Sequence, residues 1–194
     1  MGKIFYIMGK SSSGKDTIFK LIKQQLPQLE TMTLYTTRPI RQGERNGVEY
    51  YFVDEDQLCQ YKREGKLIES RDYHTIHGIW SYFTVDDGQI DLDRDSYLAI
   101  GTLESYELVR EYYGTSQVVP IYIEVDDGMR LQRALDRERG QEQPKYVELC
   151  RRFLADDVDF SQANLERMQI EKHYINEKLE DCVAEIVLGI QQKI

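Results

Sequence analysis

The chain has 194 residues, a hydrophobic fraction of 41% and a formal net charge of −9 at pH 7. The length fits one domain with a sizeable core, and the acidic balance argues against a nucleic-acid partner. No apolar run approaches the roughly 18 residues that a membrane span needs, so no membrane partner is expected. Three widely separated cysteines without metal-ligand spacing favour a cytoplasmic location.

The first part of the chain begins with an apolar run followed by a glycine-rich loop. Lys3–Met8 is predicted to be a buried strand, and the apolar residues after the loop recur at helical spacing until Pro27. Asp54–Glu64 is predicted to be a helix capped by Asp54. Short runs rich in Tyr and Thr predict a small antiparallel patch of four strands: Thr31–Tyr35, Tyr50–Val53, Leu67–Tyr73 and Ile79–Thr84.

The second part of the chain alternates strands with helices. The predicted strands are Tyr97–Thr102, Val118–Val125 and His173–Asn176, and the predicted helices are Leu103–Tyr113, Asp127–Arg137, Lys145–Asp156 and a closing helix. The acidic segment 86–95 is predicted to be a loop or an irregular helix. Such alternation favours a parallel sheet with helices on both faces. The predicted fold class is therefore α/β, with three layers around a parallel central sheet and an inserted β-rich lobe.

The loop "YIMGKSSSGKDT" (Tyr6–Thr17) follows a predicted strand and opens a predicted helix. The pattern G-x-x-x-x-G-K binds phosphate, because its glycines let backbone N–H groups turn towards the anion at a helix N-terminus. This context favours a phosphate loop over a flexible serine-rich turn. The predicted phosphate-binding residues are Gly9, Ser11, Ser12, Ser13, Gly14, Lys15, Asp16 and Thr17.

Asp16 stands where this motif usually has a hydroxyl residue, and Thr17 supplies a hydroxyl one position later. A carboxylate is a suitable ligand for Mg²⁺, which prefers oxygen donors. We therefore expect Asp16 to hold the metal, directly or through water, and Thr17 to contact a phosphate.

A second constellation is "YTTRPIRQGERNGVEYYFVDEDQL" (Tyr35–Leu58), which has two arginines three positions apart. Arginine binds phosphate oxygens in bidentate fashion, and a tyrosine hydroxyl adds a further donor. Here the chain resembles the guanylate kinase family, which shows a similar T-T-R-x-x-R-x-G-E-x-x-G-x-x-Y-x-F run after a phosphate loop. The likeness covers nearly the whole chain, through "LIE" (Leu67–Glu69), "RALDRERG" with "RRF" (Arg133–Gly140, Arg151–Phe153) and "HYINEKLED" (His173–Asp181).

The resemblance implies a P-loop kinase that uses ATP and Mg²⁺, with small-molecule nucleotides as partners, acting as a monomer or homodimer. It implies one domain over residues 1–194, with a core (1–30 and 85–194), an acceptor-binding lobe (about 31–84) and a helical lid (about 133–152). The implied acceptor-binding residues are Arg38, Arg41, Glu44, Tyr50 and Glu69, of which Glu69 reads the guanine edge. His77 stands where the family has a phosphate-binding tyrosine, and it is either a further donor to the acceptor phosphate or an ordinary strand histidine. The implied catalytic residues are Lys15, Arg133, Arg137 and Arg152, and Asn176 is expected near the adenine.

Several positions depart from the family pattern, mostly in the part that would read the base. Leu34 replaces a serine that helps to bind the acceptor phosphate, and Ile79 replaces a hydroxyl that contacts the base. Ala99 and Gly101 stand where the family has acids. The expected reaction is phosphorylation of GMP to GDP. Two alternatives remain open: a kinase similar to ribose 1,5-bisphosphate phosphokinases, and a guanylate-kinase-like binding module without turnover.

Overall fold

The structure is a computed structural model that describes residues 1–75 and 78–194, so the predicted acceptor-binding residue His77 lies outside the described residues. Its strands are β1 (Ile4–Met8), β2 (Glu30–Thr31), β3 (Tyr35–Thr36), β4 (Tyr51–Phe52), β5 (Leu67–Thr75), β6 (Gly78–Val85), β7 (Tyr97–Ile100), β8 (Val118–Glu124) and β9 (His173–Ile175). Its helices are α1 (Lys15–Gln25), α2 (Glu55–Arg63), α3 (Leu103–Tyr113), α4 (Asp127–Arg139), α5 (Tyr146–Asp159), α6 (Gln162–Arg167) and α7 (Leu179–Gln191).

The core of the molecule is a parallel sheet in the strand order β2-β7-β1-β8-β9. Every residue of the central strand β1 is buried, because successive side chains of a strand point to opposite faces and both faces are covered. On one face Tyr6 packs in a cluster with Tyr106 of α3, and on the other Phe5 packs with Ile186 of α7. The predicted α/β architecture is confirmed.

A second sheet has the strand order β4-β3-β6-β5. Its β3–β6 and β5–β6 pairings are antiparallel, as predicted, but β3 pairs with β4 in parallel. The prediction of a single strand at Thr31–Tyr35 was wrong, because Thr31 pairs with Leu98 in the central sheet whereas Tyr35 pairs with Phe83 in the second sheet. The chain therefore passes from one sheet to the other within a run whose composition is uniform.

The helices agree with the sequence pattern to within a few residues, except at residues 162–167. The side chain of Asp54 accepts a hydrogen bond from the backbone amide of Gln57 and caps α2, as predicted. Helix α6 was not predicted, since its six residues are too few to show a period. Within the described residues, no helix combines the length and apolar character needed to cross a membrane.

Candidate active site

The phosphate loop (residues 9–17) connects β1 to α1 at the carboxyl end of the central sheet, where ligands bind in open α/β folds. Gly14 forms the N-cap of α1 with a φ of 88°, and Ser12 has a φ of 65°. A left-handed serine is uncommon, and such backbone strain is concentrated at functional sites. The first N–H groups of a helix have no partner within the helix, so this loop places a helix N-terminus suited to an anion directly after β1.

Two hydroxyl groups of the phosphate loop lack partners within the part of the chain that the structure describes. The Oγ atoms of Ser12 and Ser13 are both buried without a hydrogen bond, and Ser13 is only 1% exposed. Unpaired buried polar groups are costly and call for an explanation. Hydroxyl donors beside a helix N-terminus fit the oxygens of a bound phosphate.

Asn176 holds the phosphate loop through a hydrogen bond to the loop backbone. Its Nδ2 donates a hydrogen bond to the carbonyl oxygen of Ser13 across 2.8 Å, and the Asn176 residue is buried. Arg133 of α4 donates through Nη2 to the carbonyl oxygen of Asn176 at 3.1 Å. Asn176 thus positions the loop backbone in this structure, and its contact to adenine stays a prediction.

Two carboxylates of α5, which the sequence did not reveal, hold the loop at Lys10 and Ser11. The backbone amide of Ser11 donates to Oδ2 of Asp156 at 2.8 Å, and Nζ of Lys10 donates to Oδ1 of Asp157 at 2.6 Å. Arg130, only 1% exposed, forms ion pairs with both carboxylates at 3.0 Å and 3.2 Å. Because buried arginines need such partners, this network fixes α4 and α5 against the loop.

Two of the three predicted lid arginines reach the loop. Arg137 and Arg152 line one small pocket together with Ser11 and Ser12. Arg152 also pairs with Glu148 at 3.1 Å. The structure therefore brings positive charge from α4 and α5 to the phosphate loop.

Lys15 and Asp16 begin α1, with 3.9 Å between Nζ of Lys15 and Oδ2 of Asp16. The Asp16 side chain is 82% exposed, and Thr17 beside it is exposed too. In the described residues, no group of three or more His, Cys, Asp or Glu is arranged to hold a metal ion. The carboxylate of Asp16 and the hydroxyl of Thr17 are oxygen donors. Such donors suit Mg²⁺ when phosphate oxygens and water complete its coordination.

The acceptor cluster (Arg38, Arg41, Glu44 and Tyr50) is built around a buried guanidinium. Nη1 and Nη2 of Arg38 donate to the two carboxylate oxygens of Glu44 at 2.7 Å and 2.6 Å. The Arg38 guanidinium lies 5.2 Å from the ring centres of both Tyr50 and Phe52, and its Nε is buried without a partner among the described residues. The hydrogen bond from Arg38 lowers the pKa of Glu44 to about 2.

The remaining members of the acceptor cluster lie around Arg38. The backbone amide of Arg41 donates to Glu44 at 2.8 Å, and Arg41 itself is exposed. Burial raises the pKa of Tyr50, and the negative charge of Asp16 adds to the rise. Tyr50 and Arg41 therefore flank the Arg38–Glu44 pair.

Glu69, the predicted base reader, is covered by an arginine that the sequence analysis did not single out. Oε1 of Glu69 accepts from the hydroxyl of Thr84 at 2.7 Å, and Oε2 accepts from Nε of Arg71 at 2.9 Å. Arg71 also donates through Nη1 to the hydroxyl of Thr102 at 2.9 Å. The signal was present in the sequence, because residues two apart on a strand share a face.

The space for a side chain at position 101 is filled by Tyr6. A Cβ atom added to Gly101 would lie 2.2 Å from the Tyr6 hydroxyl oxygen and 2.7 Å from Oγ of Ser105. The Tyr6 hydroxyl donates to Ser105 at 2.7 Å, and burial raises the pKa of Tyr6. Tyr6 and Ser105 therefore occupy the space that the side chain of an acid at position 101 would need.

Comparison with known proteins agrees with this geometry. The profile of the family described as guanylate kinase matches residues 1–186. The guanylate kinase of Mycobacterium bovis is 28% identical over 96% of this chain and 86% of the relative, and that of Nitrosomonas europaea is 28% identical over 98% and 90%. A guanylate kinase of Legionella pneumophila is 35% identical over 68 residues, which span 35% of this chain and only 32% of the relative.

A solved structure shows the same fold. The crystal structure of guanylate kinase from Anaplasma phagocytophilum aligns with 99% of this chain and 86% of that chain at a TM-score of 0.67 and 21% identity. This likeness extends the agreement from the sequence profile to the arrangement of the helices and strands.

Proposed function

This chain belongs to the guanylate kinase family, and we propose that it transfers the γ-phosphoryl group of ATP to GMP, which gives ADP and GDP. The observation that carries the proposal is the pairing of two anion-binding sites. Within the described residues, the phosphate loop has buried hydroxyls without partners at Ser12 and Ser13, and the acceptor cluster is centred on Arg38, whose Nε is likewise buried without a partner.

On the donor side, the first turn of α1 and Lys15 bind the β- and γ-phosphates of ATP. Lysine at this position of a phosphate loop reaches those phosphates as a point charge. Asn176 keeps the loop in place through its hydrogen bond to Ser13. This hydrogen bond therefore steadies the backbone to which the donor phosphates bind.

On the acceptor side, Arg38 is held by Glu44 and binds the monophosphate together with Tyr50 and Arg41. The attacking oxygen of a monophosphate is already anionic, so no protein nucleophile is needed. Catalysis then depends on alignment of the two substrates and on neutralisation of the charge that is transferred. Arg137 and Arg152, which line the pocket at the loop, supply that positive charge, and Arg133 is a further candidate.

Mg²⁺ is the proposed metal, and Asp16 and Thr17 are the residues that would hold it. When bound, Mg²⁺ neutralises charge on the phosphates. A reducing cytoplasm is the proposed compartment, supported by Cys59, Cys150 and Cys182, which are all free thiols. A monomer or a homodimer is the proposed state.

The test is ADP release from ATP and Mg²⁺ with GMP, dGMP, AMP, UMP or ribose 1,5-bisphosphate as acceptor. Turnover with GMP supports the proposal, and turnover with the sugar phosphate alone would replace it with a sugar-phosphate kinase. Binding of GMP without ADP release would indicate a binding module. Lys15→Met should abolish turnover, and Lys20→Met, at an exposed position of the same helix, serves as the matched control.

A further inference from the structure

The base end of the acceptor site is the part around Glu69 that would contact the base of the nucleotide. There the accessible charged group is an arginine, where the family resemblance implies a carboxylate. The side chain of Glu69 is 0% exposed, and that of its partner Arg71 is 9% exposed. Both carboxylate oxygens of Glu69 already accept hydrogen bonds, from Thr84 and from Arg71. The part of this ion pair that remains accessible therefore belongs to the guanidinium.

The hydrogen bonds of Arg71 leave a defined donor edge. In the portion of the chain that is described, Nε and Nη2 donate to Glu69 at 2.9 Å and 3.4 Å, and Nη1 donates to Thr102 at 2.9 Å. These bonds use three of the five N–H groups of a guanidinium. One N–H remains on each terminal nitrogen, and the two together suit a pair of neighbouring acceptor atoms.

Arg71 lies between the acceptor cluster and the central sheet. It stands opposite Tyr82 in the β5–β6 register, and the Tyr82 ring lies 5.6 Å from that of Tyr50. Its other hydrogen-bond partner, Thr102, caps α3 at the end of β7. Arg71 therefore lies between the core and Tyr50, where the phosphate of a nucleotide would bind.

We propose that Arg71, positioned by Glu69 and Thr102, reads the O6 and N7 acceptors of a 6-oxopurine base. The acceptor class is then 6-oxopurine nucleoside monophosphates, and IMP is a substrate alongside GMP. The inference rests on the proposed kinase function. Arginine in bidentate contact with guanine O6 and N7 is a common and specific pairing. Adenine has an amino donor at position 6, so it offers no such pair of acceptors.

The test compares GMP, IMP, 7-deaza-GMP and AMP as acceptors for the wild-type protein. IMP lacks the 2-amino group that a carboxylate would read, whereas 7-deaza-GMP lacks the N7 that a guanidinium would read. We expect kcat/KM for IMP within about threefold of that for GMP, and a loss of about tenfold or more for 7-deaza-GMP and AMP. The opposite order, with 7-deaza-GMP used well and IMP poorly, would overturn the inference and assign base reading to Glu69.

A variant of Arg71 separates an effect on base recognition from an effect on folding. Arg71→Lys keeps a positive charge beside Glu69 but lacks the two-pronged donor edge, so the preference for GMP over AMP should fall about tenfold while KM for ATP is unchanged. Arg63→Lys, an exposed position of α2, is the control. An unchanged preference in Arg71→Lys would exclude Arg71 as the reader.

Failure of the role assigned to Arg71 and failure of the kinase function give different results in this assay. ADP release with GMP but not with IMP removes only the assignment of Arg71 and leaves the kinase in place. Absence of ADP release with every nucleoside monophosphate would overturn the kinase function itself, and the inference with it.

Discussion

Asn176 and Ser13 are joined by a buried hydrogen bond of 2.8 Å, from the side-chain amide of Asn176 to the carbonyl oxygen of Ser13. The two residues are far apart in the sequence, and the bond ties the end of β9 to the phosphate loop. The conformation of the loop therefore depends on a residue near the far end of the chain.

Replacement of Asn176 by alanine should weaken both the fold and the donor site. The change leaves the Ser13 carbonyl without its partner, which costs about 1–3 kcal/mol of the free energy of unfolding, and it should raise KM for ATP severalfold. Urea denaturation and steady-state kinetics measure the two effects. Asn164→Ala removes a comparable side-chain donor on the surface and should leave KM for ATP unchanged. A normal KM in Asn176→Ala would mean that the loop holds its shape unaided.

The Arg38–Glu44 pair should give a pH-dependent contribution to stability. The hydrogen bond from Arg38 lowers the pKa of Glu44 from its ordinary value of 4.5 to about 2. The pair therefore stabilises the folded protein above pH 4.5, and this contribution is lost as the pH falls towards 2. The difference in unfolding free energy between wild type and Glu44→Gln should be larger at about pH 6 than at about pH 3.

The control for that measurement is Glu30→Gln, at an exposed position of β2. Its difference from wild type at each pH gives the reference with which the Glu44→Gln difference is compared. Equal differences at both pH values for Glu44→Gln would show that the pair does not contribute to folding. The same variant should raise KM for GMP, because Arg38 loses the partner that fixes its position.

Asp16→Asn should weaken the response of the enzyme to Mg²⁺. The amide keeps one oxygen but loses the charge, so the Mg²⁺ concentration at half-maximal rate should rise by about tenfold or more. A Mg²⁺ titration at saturating substrates gives this value. Asp181→Asn removes an acid from the first turn of α7 and provides the matched control. Unchanged Mg²⁺ dependence in Asp16→Asn would remove this residue from the metal site.

The lid arginines should differ according to whether they line the pocket at the loop. Arg137→Ala should lower kcat about a hundredfold, since one donor to the developing charge is lost. Arg139, which pairs with Asp136 on the same helix, lies outside the lining of that pocket, and Arg139→Ala should leave kcat unchanged. Rapid-quench measurement of single turnovers would show whether the chemical step is affected. Equal losses in both variants would point to a general effect of lid charge.

The elements with strong local signals were predictable. Helix α3 has the predicted bounds, and the cap at Asp54 is the one the sequence indicated. The run at Thr31–Tyr35 was mispredicted because its composition does not reveal that the chain changes sheets there. Local pattern specifies what an element is, whereas pairing depends on the rest of the fold.

In the candidate site, likewise, some features could be predicted from the sequence and others could not. The phosphate loop and the acceptor cluster are short motifs, in which residue type and spacing carry the chemistry. The cover of Glu69 by Arg71, and the room taken by Tyr6 at Gly101, depend on contacts between distant segments. A departure from the family pattern could be read from the sequence, but the side chain that fills the vacated space could not.

By itself, the sequence determined the nature of most elements and located both candidate phosphate-binding motifs, because helix caps, strand periodicity and the glycine and arginine motifs act over a few neighbouring residues. Only the tertiary structure decided which charged group remains accessible at the base end of the acceptor site. Accessibility depends on how side chains from β5, β6 and α3 pack together, and such packing is a property of the assembled fold.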